Sequence, residues 1–413
     1  MKRKDELRKL RNDYLLANGQ QWDKKLLRQC NMFMKEEFYT ERKHARLIIS
    51  RNDLFKALIG PYIHAFDHEL FYGHFSDFFV KGKDTNWKIK RMKEIHGVFP
   101  VVMETDYSSF EGSQSRSIQH AIEETLFRHY FKYHPRILEL ILLTYDPLIY
   151  EAYPHLAYML IRNRKLKRIE PYIHSTFHEL GLVGNRKSGE MWTSSGNGFI
   201  NLVIMTFLAK LNGVKFDGIV EGDDGFFGVS DTTITKQHYA DLGFTIKLEY
   251  TTDPNELSFC GMRFSRDGTC LISPERLNRL GWCEKKKYFR CKKKTRLQLF
   301  KAKCMSLLAE APNCPITSIF AWNVIHHIKA SPKFQNMDWW DLRIYEENKH
   351  LLRWEKPVIS QEARMDYYEM YGISPEMQVN IEHEFEKDWW NNFYIDMPEY
   401  DTYTDGLVAP NRA

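Results

Sequence analysis

The chain has 413 residues, of which 43% are hydrophobic and 27% charged, with a formal net charge of +5. That much apolar material excludes a largely disordered chain and supports two or three domains or one large multilobed body. The modest net charge excludes a uniformly basic coat, yet "MKRKDELRKLR", "ERKHARLIISR" and "EKKKYFRCKKKTR" are locally basic and residues 376–405 acidic. Such patches suit a polyanion held in a groove, or solvated helix faces.

The seven cysteines include no CxxC pair, so neither a disulfide framework nor a zinc signature is expected, and a reducing compartment is. His64 and His68 lack an HExxH context and read as structural. The charged N-terminus has no apolar signal region, and no apolar run reaches the roughly 20 residues that span a bilayer.

In chain order, residues 1–40 read as helical, 45–50 ("ARLIIS") as a short strand and 54–70 as a helix. "GVFPVVMETDYSSF" (97–110) reads as a β-branched strand entering a polar turn. A helix is expected from Ser115, with Ile118, Ala121, Ile122 and Leu126 on one face. Residues 132–186 form a mixed insertion. "SGEMWTSSGNGFINLVIMTFLAKL" (188–211) starts as a small-residue loop and becomes an apolar helix, interrupted by Asn201. Residues 214–230 predict a hairpin with Asp223 and Asp224 at its tip. A helix over 232–242, a strand over 243–250, a hairpin over 257–272 and helices beyond 285 complete the order. It fits an α+β fold, an antiparallel sheet with helices on one face.

"VEGDDGFF" (220–227) sets two carboxylates side by side in an apolar context. Adjacent carboxylates repel, and a hard, oxygen-seeking cation such as Mg²⁺ relieves them. Asp106 ends the apolar run Val101–Met103. If its strand lies beside the one that carries Asp223, their carboxylates converge and can hold two metals about 4 Å apart, an arrangement that suits in-line phosphoryl transfer.

Together "DYSSFE" (106–111), "SGEMWTSSGN" (188–197) and "EGDD" (221–224) resemble motifs A, B and C of the RNA-dependent RNA polymerases of positive-strand RNA viruses, nearest to the tombusvirus- and nodavirus-like group. Residues 42–70 are similar to motif F and the helix after it, "GFTIKLE" (243–249) to motif D and "ELSFCGMRF" (256–264) to motif E. The resemblance implies a right hand of fingers (1–95 and 132–186), palm (96–131 and 187–270) and thumb (271–413), with the palm sheet antiparallel and backed by helices. Asp106, Asp223 and Asp224 would hold two Mg²⁺, with Mn²⁺ able to substitute and the Tyr107 carbonyl nearby. Ser188, Thr193 and Asn197 would face the nucleotide ribose, with Asn197 sensing the 2′-hydroxyl. Glu111 would help recognise the ribose together with Asn197; it stands where the family usually has Asp, one methylene shorter. Arg46, Arg51 and Lys43 would clamp the triphosphate, and Lys247 would protonate the pyrophosphate. Gly189, Cys260, Gly261, Lys286 and Lys287 would contact RNA.

The implied partners are an RNA template, nascent RNA, nucleoside triphosphates and a separate membrane-anchoring replication protein, in the host cytoplasm, with de novo initiation. A reverse transcriptase shares the aspartates but usually has an aromatic residue before the pair and a bulky gate after the first Asp. A two-metal nuclease needs neither the 188–197 loop nor the arginines, and a non-catalytic RNA-binding module does not need the acidic motifs.

Overall fold

A computed structural model describes residues 2–19, 21–34, 46–145, 149–152, 177–179, 186–280 and 291–387. Two four-stranded sheets organise it, built from β1 (Gln29–Met34), β2 (Leu47–Arg51), β3 (Val101–Tyr107), β4 (Ile149–Ala152), β5 (Phe177–Glu179), β6 (Phe216–Glu221), β7 (Asp224–Val229) and β8 (Ile246–Thr251). A small ladder joins β9 (Arg263–Phe264) to β10 (Cys270–Leu271).

The central sheet has the order β6-β7-β3-β8, antiparallel throughout. Strand side chains alternate between faces, so the consecutive apolar pairs Val102-Met103, Ile219-Val220 and Phe226-Phe227 send one residue to each side. Val102, Ile219 and Phe226 meet Ile89, Met92 and Ile95 of the helix Thr85–Val98. Met103, Val220 and Phe227 join Ile200, Ile204 and Leu208 of the helix Thr193–Asn212. Helices therefore cover both faces rather than the one expected, which is what unbroken apolar runs in strands imply. Phe226 and Phe227 are both fully buried, so either change to Ala should cost about 3–5 kcal/mol.

The second sheet has the order β2-β1-β4-β5. Strand β1 corrects the helical expectation for residues 1–40: the helix Lys2–Asn18 and one short turn at Lys24–Leu27 precede it. Antiparallel pairing with the β-branched β2, from Cys30↔Arg51 to Met34↔Leu47, outweighs the weak local preference of "QCNMFM".

The helix expected from Ser115 also differs. Between Arg116–Ile118 and Thr125–Tyr130 lies a π-helical stretch, Gln119–Glu124. The wider turn shifts the inward face: Gln119, Glu123, Glu124 and Phe127 are buried, whereas Ala121 is exposed and Ile118, Ile122 and Leu126 are half-buried. π-Bulges of this kind concentrate at functional sites.

Helices dominate beyond residue 291 as expected: Lys293–Glu310, Thr317–His327, Trp339–Asn348, Gln361–Tyr371 and Pro375–Glu386. Their apolar faces continue the core under Val102, Ile219 and Phe226. Polar latches align them. Asn348 Oδ1 accepts from the Thr85 amide at 2.8 Å, buried Asp366 accepts from the Arg266 amide at 2.7 Å and from its Nε at 2.8 Å, and Arg343 pairs with both Glu347 and Glu221.

Candidate active site

Strand β3 delivers Asp106 to the sheet edge where the β6–β7 turn also ends. Thr105 lies opposite Gly225 on β7, and Asp106 lies opposite Lys247 on β8. Glu221 pairs with Asp224, which leaves Gly222 and Asp223 as the turn, with Gly222 at a φ of +64°. Asp223 therefore sits on the turn, and the strand adjoining β3 is the one that starts at Asp224. Asp106 is exposed, and Asp223 and Asp224 are half-buried.

The carboxylates are electrostatically frustrated. Burial first, then the charge on Asp223, pushes Asp224 up to about 6, with Asp106 and Glu221 adding to the rise and the Cys260 thiol opposing it. That thiol donates to Asp224 Oδ2 at 3.5 Å. Burial also raises Asp223, followed by Glu111 and Asp106, against its own backbone N–H and Arg46. An all-oxygen, anionic donor set in which Asp106 raises both turn aspartates fits a hard divalent cation. Among the described residues no three His, Cys, Asp or Glu side chains close into a metal cage; the aspartates form an open acidic face.

The turn is held by its backbone. Asn201 Nδ2 donates to the Asp223 carbonyl at 3.0 Å and to that of Gly222 at 3.5 Å. Tyr107 donates its hydroxyl to Asn201 Oδ1 at 3.2 Å. Burial pushes that phenol well above its ordinary value, so it stays a donor. Sequence reasoning expected only the Tyr107 carbonyl to matter and noted Asn201 merely as a break in an apolar run. That break was the signal, because an amide in a buried helix face needs partners.

One turn earlier on the same helix, Asn197 is buried and donates Nδ2 to Glu111 Oε1 at 3.3 Å. Behind them stand Gln114, Arg186 and Glu123, none of which sequence reasoning singled out. Burial draws Arg186 down to about 10, against Glu190 and Glu111, so it remains charged at neutral pH.

The 188–193 loop is spent largely on packing. Ser188 Oγ accepts from the Ile49 amide at 3.4 Å. Gly189 bridges Ser50, and a Cβ there would lie 2.5 Å from the Ile49 carbonyl oxygen, so only glycine fits against β2. Thr193 Oγ1 donates to the carbonyls of Glu190 at 3.0 Å and Lys187 at 3.1 Å. These contacts tie the loop to β2 and leave Asn197 as the member of the set aimed at Glu111.

Of the expected cations, Arg46 is exposed and its charge acts on Asp223. Arg51 lies elsewhere: its side chain is fully buried, Nε bonds Glu190 Oε1 at 2.8 Å, and the guanidinium lies 5.0 Å from the Phe55 ring. Lys247 is exposed beside Asp106 and pairs with Glu249 at 3.1 Å. Cys260 and Gly261 form a tight turn between Phe259 and Met262, both at positive φ. Lys43, Lys286 and Lys287 lie outside the described residues.

A family model described as viral RNA-dependent RNA polymerase matches residues 78–317, more than half of the chain, including β3, the 188–197 loop and the acidic turn. No curated protein matches the chain.

Proposed function

The chain belongs to the viral RNA-dependent RNA polymerases, and on that premise we propose that Asp106, Asp223 and Asp224 form its catalytic centre, with Asn197 and Glu111 as its sugar-reading pair. The enzyme synthesises RNA on an RNA template from nucleoside triphosphates, within a right-hand fold, as its family implies. The observation that carries the assignment is the meeting of β3 and β7 at Asp106 and Asp224, with the Asn197–Glu111 pair close enough for Glu111 to act on Asp223.

Asp106, Asp223 and Asp224 would hold two Mg²⁺, or Mn²⁺ in their place. When bound, such ions supply Lewis-acid stabilisation of charge on phosphoryl oxygens. The chain's own residues supply the geometry. Asn201 and Tyr107 fix the turn, so that the carboxylates meet the substrate without reorganising. Arg46, whose charge acts on Asp223, would balance the triphosphate charge. Lys247, opposite Asp106 on β8, would give a proton to the leaving pyrophosphate. Asn197 and Glu111 would bond the 2′-hydroxyl, a contact whose loss leaves buried polar groups unpaired and so rejects deoxyribonucleotides.

On this reading residues 1–95 and 132–186 form the fingers, 96–131 and 187–270 the palm and 271–413 the thumb. Its kin would be the tombusvirus- and nodavirus-like enzymes of positive-strand viruses, initiation would be de novo, and a separate viral protein would anchor the complex to membrane. Among the described residues no helix is long and apolar enough to cross one.

The test is labelled ribonucleotide incorporation on single-stranded RNA with Mg²⁺ or Mn²⁺, with and without primer. Wild type, Asp106→Ala and Asp223→Ala are run side by side, and each is repeated with deoxyribonucleotides. Template-dependent RNA from wild type alone is expected. Equal product from both aspartate variants would remove the assignment, and preference for deoxyribonucleotides would make the enzyme a reverse transcriptase.

A further inference from the structure

The amide of Asn197 has two ends of similar shape and opposite hydrogen-bonding character, and a buried amide takes the orientation its partners dictate. Its partners form a chain whose direction is set deep in the protein. Arg186, being a guanidinium, can only donate, and its Nε donates to Gln114 Oε1 at 2.7 Å. With its oxygen committed inward, Gln114 presents Nε2 to Asn197 and donates to Oδ1 at 2.9 Å. Asn197 is left with Nδ2 facing outward, where it meets Glu111.

The inner end is immobilised. Arg186 pairs with Glu123 of the π-helical stretch, and Glu123 Oε1 also accepts from the Tyr145 hydroxyl and from Trp192 Nε1, each at 2.7 Å. The Arg186 amide donates to the Glu111 carbonyl at 3.1 Å, so one residue braces both halves of the pair. A Cβ on Gly196 would lie 2.9 Å from both terminal nitrogens of Arg186, so the helix leaves a slot for the guanidinium. Gln114 is 0% exposed, Asn197 3% and Arg186 6%. No bulk water is at hand to stabilise the flipped amide.

We propose that Arg186 and Gln114 are positioning residues that set the donor–acceptor polarity of Asn197, and thereby the preference for ribose over deoxyribose. The inference rests on the reading that Asn197 and Glu111 face the nucleotide sugar. With nitrogen outward, a 2′-hydroxyl accepts from Asn197 and donates to Glu111, using both of its capacities. With oxygen outward, two acceptors compete for one hydroxyl proton and repel each other when the hydroxyl is missing or present. Sugar selection then depends on residues that never touch the nucleotide.

The test compares specificity constants for a ribonucleoside triphosphate and its 2′-deoxy counterpart on one template. Equilibrium binding of the same two triphosphates and the melting temperature are measured alongside, for the wild type, Gln114→Glu, Gln114→Met and Arg186→Lys. Gln114→Glu offers only acceptors, so Asn197 must turn its nitrogen inward, and ribose preference should fall by about 100-fold. Gln114→Met imposes no direction, and a loss of about tenfold is expected. Arg186→Lys keeps a donor-only cation and should stay within about threefold of wild type.

A purely structural role predicts the reverse order, with an apolar group beside a buried guanidinium doing the most damage. Unchanged preference in Gln114→Glu, or a larger loss in Gln114→Met, overturns the relay. Should Gln114→Glu fail to fold, Arg186→Gln against Arg186→Lys carries the same decision, because only glutamine can accept; equal preference in the two overturns it. A wild type that extends no ribonucleotide on the template overturns the functional reading instead, before any variant is compared.

Discussion

Asn197 and Asn201 stand one turn apart on the same helix and serve polar clusters of opposite design. Around Asn197 the side chains are paired inward to a buried ion pair, so that their geometry is over-determined. Around Asn201 only the backbone is held, while the carboxylates of Asp223 and Asp224 are left to repel each other. The first cluster resembles a gauge, whose value lies in not moving. The second stores unfavourable charge that a bound cation can release, so it trades stability for binding.

The largest break in this comparison comes from the aspartates. Asp223→Asn should reduce nucleotide incorporation by at least about 1,000-fold, by analogy with other lost electrostatic groups, while leaving the metal-free melting temperature equal or higher. A fall in both would mean that the carboxylate is structural. Next in size is Asn201→Leu, which removes the hold on the turn and deprives the buried Tyr107 hydroxyl of its Asn201 acceptor. A loss of about 1–3 kcal/mol in chemical denaturation is expected, with activity falling about 100-fold through a loosened turn. Activity loss without destabilisation would contradict the scaffold role.

A pH experiment sharpens the contrast. The folded Asp224 titrates near 6 against 3.8 for the free group, so the folded state keeps a proton that the unfolded chain gives up between those values. Metal-free stability from this group is therefore greatest below about pH 4 and declines as pH rises through about 6. Asp223 is shifted in the same direction. Melting curves of wild type and Asp224→Asn should coincide near pH 4 and separate by pH 7, the variant being the more stable, and Mg²⁺ should narrow the gap. Coincidence at pH 7 would show that the repulsion is relieved within the chain. The smallest effect is expected at Thr193→Val, which deletes the hydroxyl's contacts to the Lys187 and Glu190 carbonyls at a cost of about 1 kcal/mol.

How much of this was legible in the sequence follows from the range of each interaction. The acidic hairpin and β3 were readable because alternation, glycine and apolar runs are local signals. Asn197 and Glu111 were readable through their motifs, but the hydrogen bond between them was not, because it joins residues far apart in the chain. Arg51 was not: nothing in "ISRNDLF" says that its guanidinium turns inward to a glutamate 139 residues away. Strand β1 needed a partner strand, and the π-helical stretch needed Arg186, Tyr145 and Trp192 to give buried Glu123 its bonds. Gln114 carried no local mark, because its role lies in which end of its amide points where.

The clasp between Arg343 and Glu221 has a consequence for the order in which the molecule matures. Glu221 adjoins the turn and contributes to the charge felt by Asp224. During synthesis on the ribosome both strands of the acidic hairpin emerge well before Arg343. Until then Glu221 of the nascent hairpin lacks its arginine partner. Docking of the Trp339–Asn348 helix therefore supplies this cation late, and a chain cut short before Arg343 keeps its aspartates but lacks the arginine that pairs with their neighbour.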